Sequence, residues 1–460
     1  MYTCGVTVYD ESHIGHARSL YIFDVMRRYL KYRGFDVKFV RNITDIDDKI
    51  INRANELKVN WKDLVKKYID RYYEDLKGLG IEKGDFEPRA TENIPEMIKY
   101  IQGLIEKGYA YVTDSGVYFS VRKFKDYGKL SGQSIDQMQS GARIEPDEAK
   151  QDPLDFALWK KSKPDEPSWE SPCSGGRPGW HIECSVMSQK FLKTETLDIH
   201  AGGRDLIFPH HENEIAQAEA LTGKPFAKYW IHHGLLTING QKMAKSLGNF
   251  VTVKDFMARH KNADLLKMFF LSAHYSHPID FTEEKIEEAR KAYERIIIML
   301  NKVEDIFKNI NAAQLNGIKK ETIENKTSFE YIRTRFEKAM DDDFNTPQAL
   351  AVLQELVTKT NITITQYPQI LKHDISRQQL YYSCYILMPE IVKILGLSLD
   401  KSLEMGKYLD EEIMLFIEKR NEARRNKDFK LADKIRIELE EQGIILEDTK
   451  DGKTTWRRKL

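Results

Sequence analysis

The sequence has few cysteines, no excess of either charge and no long apolar run, and each shortage excludes a class of protein. Its four cysteines, Cys4, Cys173, Cys184 and Cys384, are scattered along 460 residues. They are too few for a disulfide framework and favour a reducing compartment, where free cysteines are mostly buried apolar side chains and less often metal ligands. No apolar run approaches the roughly 18–20 residues of a membrane span, and no basic-then-apolar signal peptide opens the sequence. We therefore expect a cytoplasmic protein with no membrane partner.

The charges balance, with 71 Lys and Arg against 71 Asp and Glu. A nucleic-acid partner would therefore need a local basic surface, because the chain as a whole carries no positive field. The length is too great for one compact core, so the sequence predicts about two to four domains.

The first thirty-odd residues predict a strand, a turn and a helix. Apolar residues alternate over positions 2–8, turn formers occupy positions 10–12, and His13 and His16 open a helix that stops near Gly34. The two histidines share one face at a helix N-terminus, where backbone N–H groups and the helix dipole favour a phosphate. The alternative is that they are two ordinary histidines near a helix cap.

A second strand is predicted over residues 36–43, which completes a strand–helix–strand unit and indicates a parallel sheet. Ligands of such sheets gather at the carboxyl ends of the strands. The following carboxylates, Asp45, Asp47 and Asp48, could cap a helix, bind an amine or be solvated.

Residues 51–108 have a helical pattern. Over residues 109–178 this pattern gives way to short strands and a loop. Short strands at 109–112 and 116–120 flank a hairpin signal, and residues 161–178 are rich in Pro, Ser and Gly, as in a loop. The parallel sheet is expected to resume at residues 179–184 and to continue through 197–205. His210 and Glu214 then stand one helical turn apart, a spacing that suits a metal but is also common in surface pairs.

Further along, Asn239-Gly240 is a strong hairpin signal, and Thr252 to Asp255 resembles a capping box. Between them lie Lys242 and Lys245, in a lysine-rich loop of a kind that is normally solvated. Residues 282–397 read as helices, with Thr346 as an N-cap, and carry no catalytic motif, so they could be scaffold alone.

Two basic helices separated near Asp428 follow, and the chain ends Thr-Trp-Arg-Arg-Lys-Leu. Basic residues interleaved with Phe429 and Trp456 suit phosphate contact and base stacking. A run of charges can equally be a solvated face.

Several of these stretches also resemble one known family. The opening CGVTVYDESHIGH resembles the HIGH signature of class I aminoacyl-tRNA synthetases in the form found in the cysteinyl-tRNA synthetases. KMAKS at residues 242–246 resembles the class I KMSKS loop. KDFKLADKIR, GIILED and TTWRRK near the end resemble the anticodon-binding end of the same family.

The resemblance implies an α/β fold in which a Rossmann-like parallel-sheet catalytic domain with a short connective insertion precedes an α-helical bundle and a small C-terminal anticodon-binding domain. The insertion is too short for a separate editing domain. The expected boundaries are 1–108 and 179–235 for the split catalytic domain, 109–178 for the insertion, 236–282 for the KMSKS-loop and stem-contact region, 283–400 for the bundle and 401–460 for the anticodon-binding domain.

The resemblance also assigns residues. It implies one Zn²⁺ per chain, held by Cys4, Cys184, His210 and Glu214, with Cys173 and Cys384 structural. His13, His16, Lys242 and Lys245 would be catalytic, and ATP would bind at His13, Gly15, His16 and Lys245. The amino-acid pocket would include Gly5, Thr44, Trp180, His181, His200 and Asp205. The candidates for anticodon contact are Arg420, Arg424, Phe429, Asp433 and Asp448.

The implied reaction is the ATP-dependent ligation of L-cysteine to tRNA(Cys) through cysteinyl-adenylate, with Mg²⁺ accompanying ATP and the chain acting as a monomer. A zinc ion that binds the substrate sulfur would separate cysteine from serine, which an apolar pocket separates only about a hundredfold. The alternatives are a cysteine ligase that acylates a small amino-sugar, which should lack the basic C-terminal part, and a non-catalytic tRNA-binding paralogue, which should have lost signature residues.

Two departures from the family pattern matter. Members usually carry a segment before the first strand, whereas this sequence starts inside it, so Cys4 is expected on a frayed strand that would bind zinc more weakly. Ala244 also replaces the serine of the KMSKS loop, which removes one hydrogen-bonding side chain but leaves both lysines.

Overall fold

The structure, a computed structural model, describes residues 1–135, 150–244, 247–308, 329–365, 374–399, 410–441, 444–449 and 454–458. It opens with β1 (Tyr2–Thr7), α1 (Ile14–Tyr32) and β2 (Val40–Thr44), and the two strands pair in parallel. The strand predicted over 36–43 starts later because Tyr2, the first residue of β1, lies opposite Val40. The expected fraying at Cys4 is not observed, since Tyr2 is buried and paired on both sides.

Three helices, α2 (Asp48–Leu57), α3 (Trp61–Gly78) and α4 (Ile94–Glu106), fill most of the predicted helical stretch. Of the three carboxylates before them, Asp47 caps α2 by accepting a hydrogen bond from the Lys49 N–H at 2.9 Å. Asp45 accepts hydrogen bonds from Thr91, and Asp48 pairs with Lys160 and Arg177.

An antiparallel sheet follows, in the order β3 (Ala110–Thr113), β4 (Gly116–Phe119), β5 (Phe156–Lys161) and β6 (Gly176–Pro178). The predicted hairpin is present, with its turn at Asp114 and Ser115. Gly116 follows the turn, and its φ of 150° and close approach to the Trp159 carbonyl oxygen leave no room for a Cβ atom. The predicted loop over 161–178 ends in β6. The sheet shares a core with α4 and with the helix that follows, so it does not form a separate unit.

The chain then forms α5 (Trp180–Leu192), β7 (Leu197–Gly203), α6 (Glu212–Thr222) and β8 (Ala227–His233). The prediction that the sheet resumes at residues 179–184 was wrong. Buried Ile182, Val186 and Met187 recur at helical rather than alternating spacing, and Gly179 is the N-cap. The parallel sheet has the order β2-β1-β7-β8, so β1 and β7 are its central strands.

A second small sheet contains β9 (Leu236–Ile238), β10 (Gln241–Lys242) and, after α7 (Val253–His260) and α8 (Ala263–Leu271), β11 (Ile279–Phe281). The predicted hairpin between β9 and β10 has positive φ at both Asn239 and Gly240, as a type I′ turn requires. The capping box between Thr252 and Asp255 is present at the start of α7.

The predicted helical region comprises α9 (Glu283–Lys308), α10 (Glu330–Asp341), α11 (Thr346–Thr365), α12 (Asp374–Tyr381) and α13 (Met388–Ile394). Thr346 is not the N-cap of α11. Asn345 takes that role, because its Oδ1 accepts a hydrogen bond from the Gln348 N–H at 3.2 Å. These helices share the largest core with α1, α3, α7 and α8.

The described chain ends with α14 (Asp410–Arg425), α15 (Phe429–Glu441) and an antiparallel hairpin of β12 (Ile444–Asp448) and β13 (Thr454–Arg458). The two helices were predicted and the hairpin was not. This part has a small core of its own. None of the helices in the described ranges is both long and apolar enough to cross a membrane. The predicted α/β class with a parallel sheet, a short insertion and a helical second half is confirmed.

Candidate active site

A cavity of about 450 Å³ lies beside β1 and the start of α1. Such a volume is typical of small-molecule sites. Eight of the predicted site residues line it: Cys4, Gly5, His13, Gly15, His16, Trp180, Asp205 and Lys242. The fold therefore gathers residues from both ends of the predicted catalytic region around one space.

Cys4 belongs both to this cavity and to a buried cluster of four potential metal ligands, Cys4, Cys184, His210 and Glu214. The two sulfur atoms are 3.9 Å apart, and His210 Nε2 lies 3.5 Å from Cys184 Sγ and 3.0 Å from Glu214 Oε1. A tetrahedral zinc site with these ligand types has edges of roughly 3.3–3.8 Å. The donor set, two sulfurs, one nitrogen and one oxygen, therefore fits a divalent metal such as zinc.

Further histidines hold the cluster in place. His181 Nδ1 lies 2.8 Å from His210 Nδ1, and His200 Nε2 lies 2.7 Å from Glu214 Oε2. Trp180 stacks on the His210 ring with centroids 4.1 Å apart. Metal-ligating side chains commonly have such partners, which orient them and tune their basicity.

A second set of four potential ligands overlaps the first and consists of Cys4, His200, His211 and Glu214. In this set His211 Nε2 lies 3.3 Å from Cys4 Sγ, and a single thiol replaces the pair. The sequence reasoning did not consider His211, although it adjoins His210 in the same motif. Two thiols make the first set the better match to zinc.

Burial determines the protonation of the cluster. It raises the pKa of the Cys4 thiol and of the Glu214 carboxyl well above their ordinary values, and it lowers the pKa of the His210 imidazole well below its ordinary value. All three shifts favour the neutral form. A bound divalent cation would reverse this balance for the thiol and the carboxyl, because it would supply the charge that stabilises their anions.

The HIGH segment begins α1 at the cavity wall. His13 is the N-cap, its Nδ1 accepts a hydrogen bond from the His16 N–H at 3.2 Å, and the two rings stack with centroids 3.6 Å apart. Burial lowers the pKa of His13 to about 4 and that of His16 to about 3, so both are neutral at pH 7. A Cβ atom at Gly15 would lie 2.9 Å from His13 Nδ1, so glycine leaves the His13 ring its position.

The second lysine-rich signature lies across the same cavity. Lys242 ends β10 and lines the cavity, whereas Lys245 lies outside the described residues. The substitution at Ala244 leaves a backbone contact intact, since the Ala244 N–H donates to Asn249 Oδ1 at 2.9 Å and Asn249 Nδ2 donates to the Lys242 carbonyl oxygen at 3.1 Å. Asn249 thus binds the backbone of residues 242 and 244 and needs no hydroxyl at position 244.

Three predicted pocket residues, Thr44, His181 and His200, do not line the cavity. The Thr44 hydroxyl donates to Glu183 Oε2 at 2.8 Å, and both residues are buried. His181 and His200 contact the cluster ligands instead, as described above. His181 and His200 therefore orient the ligands of the cluster and do not face the cavity.

The sequence reasoning missed the three other basic residues of the cavity, Arg18, Lys49 and His233. Arg18 lies two residues beyond His16 on α1, and Lys49 lies in the first turn of α2. His233 ends β8. The carboxyl end of a parallel strand is where ligands gather, so His233 could have been found by that signal.

The five candidates for anticodon contact divide into two groups. Arg420 is 4% exposed, and its guanidinium makes two hydrogen bonds of 2.9 and 2.8 Å with the Asp448 carboxylate, which also accepts one from Arg424. Asp433 is exposed, and the Phe429 ring is 61% exposed. The ion pair joins α14 to β12, whereas Phe429 and Asp433 are free to meet a partner.

Comparison with known proteins places these features in a family. Residues 1–291 match the family described as tRNA synthetases class I (C) catalytic domain, and residues 335–400 match the DALR domain. The chain is 50% identical to the cysteine–tRNA ligase of Thermodesulfovibrio yellowstonii, across 100% of this chain and 95% of that protein. It is 49% identical to the cysteine–tRNA ligase of Aquifex aeolicus, across 100% of this chain and 94% of that protein.

Solved structures agree at the level of fold. The Mycobacterium tuberculosis methionyl-tRNA synthetase in complex with methionyl-adenylate superimposes with a TM-score of 0.63 at 15% identity, covering 86% of this chain and 91% of that one. A putative arginyl tRNA synthetase from Campylobacter jejuni gives 0.58 at 13% identity, covering 87% and 93%. With relatives near 50% identity along its whole length and a matching catalytic family over most of it, the chain belongs to the cysteine–tRNA ligases, a family of class I aminoacyl-tRNA synthetases.

Proposed function

We propose that this chain joins L-cysteine to tRNA(Cys) in two steps. In the first, a carboxylate oxygen of cysteine attacks the α-phosphorus of Mg·ATP, and pyrophosphate leaves. In the second, the 2′-hydroxyl of the terminal adenosine attacks the carbonyl carbon, and AMP leaves. The observation that carries this proposal is that one cavity joins a thiol-containing ligand cluster to the two class I signatures.

Substrate recognition would centre on the cluster and on Asp205. Cys4, Cys184, His210 and Glu214 would hold Zn²⁺, which would supply a site that binds a thiolate far better than a hydroxyl. Asp205 lines the cavity and is exposed to it, so its carboxylate would bind the substrate ammonium group. Together these groups would select an amino acid with a thiol.

ATP would lie between α1 and the β9–β10 hairpin. The neutral imidazoles of His13 and His16 can each donate one hydrogen bond to a phosphate oxygen, and the helix N-terminus adds a favourable potential. The Lys242 ammonium would stabilise the charge that develops on the departing pyrophosphate. We propose the same role for Lys245. Catalysis would thus consist of positioning and electrostatics, with no covalent enzyme intermediate.

The two alternatives fare differently. A ligase for a small amino-sugar should lack the C-terminal part, yet the tRNA ligase relatives align with 100% of this chain. A non-catalytic paralogue should have lost signature residues, yet the four candidate metal ligands lie together and His13, His16 and Lys242 line the cavity, which supports an active enzyme. Because thiol ligands require reduction, we also propose a cytoplasmic location. That the chain acts as a monomer stays a prediction.

The decisive measurement is ATP–pyrophosphate exchange by the zinc-loaded protein with cysteine, with serine as the matched control. We expect exchange with cysteine that exceeds exchange with serine by well over about a hundredfold, the discrimination available to an apolar pocket alone. Charging of tRNA(Cys) transcripts would then test the second step. Absence of exchange from folded, zinc-containing protein would overturn the proposal.

A further inference from the structure

Arg18 is a fully buried cation that forms no ion pair in the described parts of the chain. Its guanidinium instead donates to four backbone carbonyl oxygens. Nη1 donates to Gly234 at 2.7 Å and to Leu235 at 3.0 Å, and Nη2 donates to Tyr275 at 3.2 Å and to His277 at 2.7 Å. Burial lowers the pKa of Arg18 to about 10, which leaves it charged at neutral pH.

These carbonyls belong to two segments that cross tightly. The Gly234 N–H donates to the Tyr275 carbonyl oxygen at 2.8 Å, and a Cβ atom at position 234 would lie 2.2 Å from the His277 carbonyl. The first segment leads directly into β9 and hence into the hairpin that ends at Lys242. The second leads into β11, which pairs with β9. Arg18 therefore joins α1 to the base of the β9–β10 hairpin, by which we mean residues 234–235 and 275–277.

The far end of the same region is tied to α1 as well. The Ile14 N–H donates to the Val251 carbonyl oxygen at 3.1 Å, and the Val253 N–H donates to the Ser12 carbonyl oxygen at 2.9 Å. Residues 236–250, which carry Lys242, thus leave and rejoin the body of the protein at α1. The exit is joined to residues at the start of α1 by two backbone hydrogen bonds, and the entry is joined to α1 by the four hydrogen bonds of the Arg18 side chain.

We propose that Arg18 is a positioning residue for adenylate formation. By fixing the base of the hairpin, it sets the distance from His13 and His16 to Lys242. The inference rests on the proposed function, because it concerns the groups that hold ATP from its two sides. A guanidinium suits this task since its planar fork directs several N–H groups at fixed angles, which an ammonium does not do. Once pyrophosphate has left, the hairpin is no longer needed, so transfer to tRNA should not depend on Arg18.

The test compares Arg18→Lys with Arg27→Lys. Arg27 is on the same helix and is equally buried, but its contacts are with Asp24, Glu82 and the Lys83 carbonyl oxygen, away from the cavity. For each variant and for the unchanged chain, we would measure the kcat and the cysteine KM of exchange and the thermal midpoint. The transfer rate would be measured by mixing tRNA with enzyme whose adenylate has been allowed to form fully in the presence of pyrophosphatase.

We expect Arg18→Lys to lower the kcat of exchange about a hundredfold, the loss that a misplacement of about 1 Å can produce. The KM for cysteine and the transfer rate should change less than about twofold. Arg18→Met should lower exchange at least as far, and Arg27→Lys should lower only the thermal midpoint.

Two results would overturn the inference: exchange by Arg18→Lys within about twofold of the unchanged chain, or an equal loss in exchange and transfer, which would mark a merely structural role. If the unchanged chain itself gave no exchange, the proposed function would fail and the inference with it. If the unchanged chain exchanges and Arg18→Lys does too, only the inference fails.

Discussion

The ligand cluster beside the cavity and the ion pair in the C-terminal part satisfy their charged groups in opposite ways. Cys4, Cys184 and Glu214 are three acidic groups packed together, none of them paired with a lysine or arginine in the described ranges, and burial favours their neutral forms. Arg420 and Asp448 form an ion pair, and the guanidinium lowers the pKa of the carboxyl well below its usual range. A buried acidic set without a counter-charge suits an external cation, whereas a satisfied pair contributes to the architecture.

The largest effect should come from Cys184→Ala. Removing one of two thiols should abolish stoichiometric zinc binding and lower cysteine-dependent exchange on the order of a thousandfold, more than the 10–100-fold typical of losing an outer partner. Zinc content by atomic emission and the exchange rate check this. The matched control is Cys173→Ala, because Cys173 is half-buried and lies outside the cluster. Full zinc content in Cys184→Ala would show that the alternative set with His200 and His211 holds the metal.

The next largest effect should come from Lys242→Ala. Loss of its ammonium should lower the kcat of exchange about a hundredfold, the scale on which one preorganised charged donor acts, with the KM for cysteine unchanged. The control is Lys254→Ala, an exposed lysine in α7. An equal loss in both variants would mean that the basic surface as a whole attracts ATP and that Lys242 has no specific part.

These features differ in how far the sequence could predict them. Cys4 and Cys184 are 180 residues apart, and no local spacing joins them, so only the resemblance paired them. The structure shows why they meet: β1 is a central strand of the sheet, and α5 delivers Cys184 beside it. The helix at 180–192 was missed because the stretch before Cys184 was read as the returning strand. Local signals such as the hairpin at Asn239 and the capping box at Thr252 were predicted correctly because neighbouring residues alone determine them.

The C-terminal part shows what composition alone could not predict. Arg420 and Phe429 both carried the pattern of an RNA-binding surface, and composition could not separate them. What separates them is Asp448 in β12, part of a hairpin that was not predicted. Whether a basic side chain is free depends on a partner distant in sequence, which periodicity does not report.

The third prediction uses this difference. Phe429→Ala should raise the KM for tRNA(Cys) in charging about tenfold, because stacking of a base on an aromatic ring contributes about 1–3 kcal/mol. Exchange with cysteine and the thermal midpoint should not change, since the ring is 61% exposed. Steady-state charging and calorimetry are the measurements.

The comparison variant is Asp448→Asn. It should lower the thermal midpoint of the C-terminal part, because the buried Arg420 would lose its carboxylate partner. If Asp448→Asn raised the tRNA KM with no change in melting, and Phe429→Ala had no effect, the ion pair rather than the exposed ring would be the RNA contact.

The smallest effect is a difference in how the two regions respond to acid. Burial lowers the pKa of His13 to about 4, of His16 to about 3 and of His233 to about 4. Between pH 6.5 and 4 these three histidines bind more protons in the unfolded chain than in the folded one, so their contribution to stability falls as the pH falls. The Asp448 carboxyl, whose pKa is depressed, stabilises the fold above about pH 4 and loses this effect only below it.

Hydrogen–deuterium exchange, corrected for the intrinsic pH dependence, should thus show β8 losing protection between pH 6.5 and 4 while β12 keeps it. His233→Gln should flatten the loss in β8, because it removes one of the groups that must stay neutral, at up to about 1.4 kcal/mol per pH unit. The glutamine can still donate to the Gly234 carbonyl oxygen that His233 Nδ1 contacts at 2.9 Å, so the contact itself is not the variable. Equal loss of protection in both strands would mean that the regions unfold as one unit, and the contrast between neutral histidines and a satisfied ion pair would then have no separate consequence for stability.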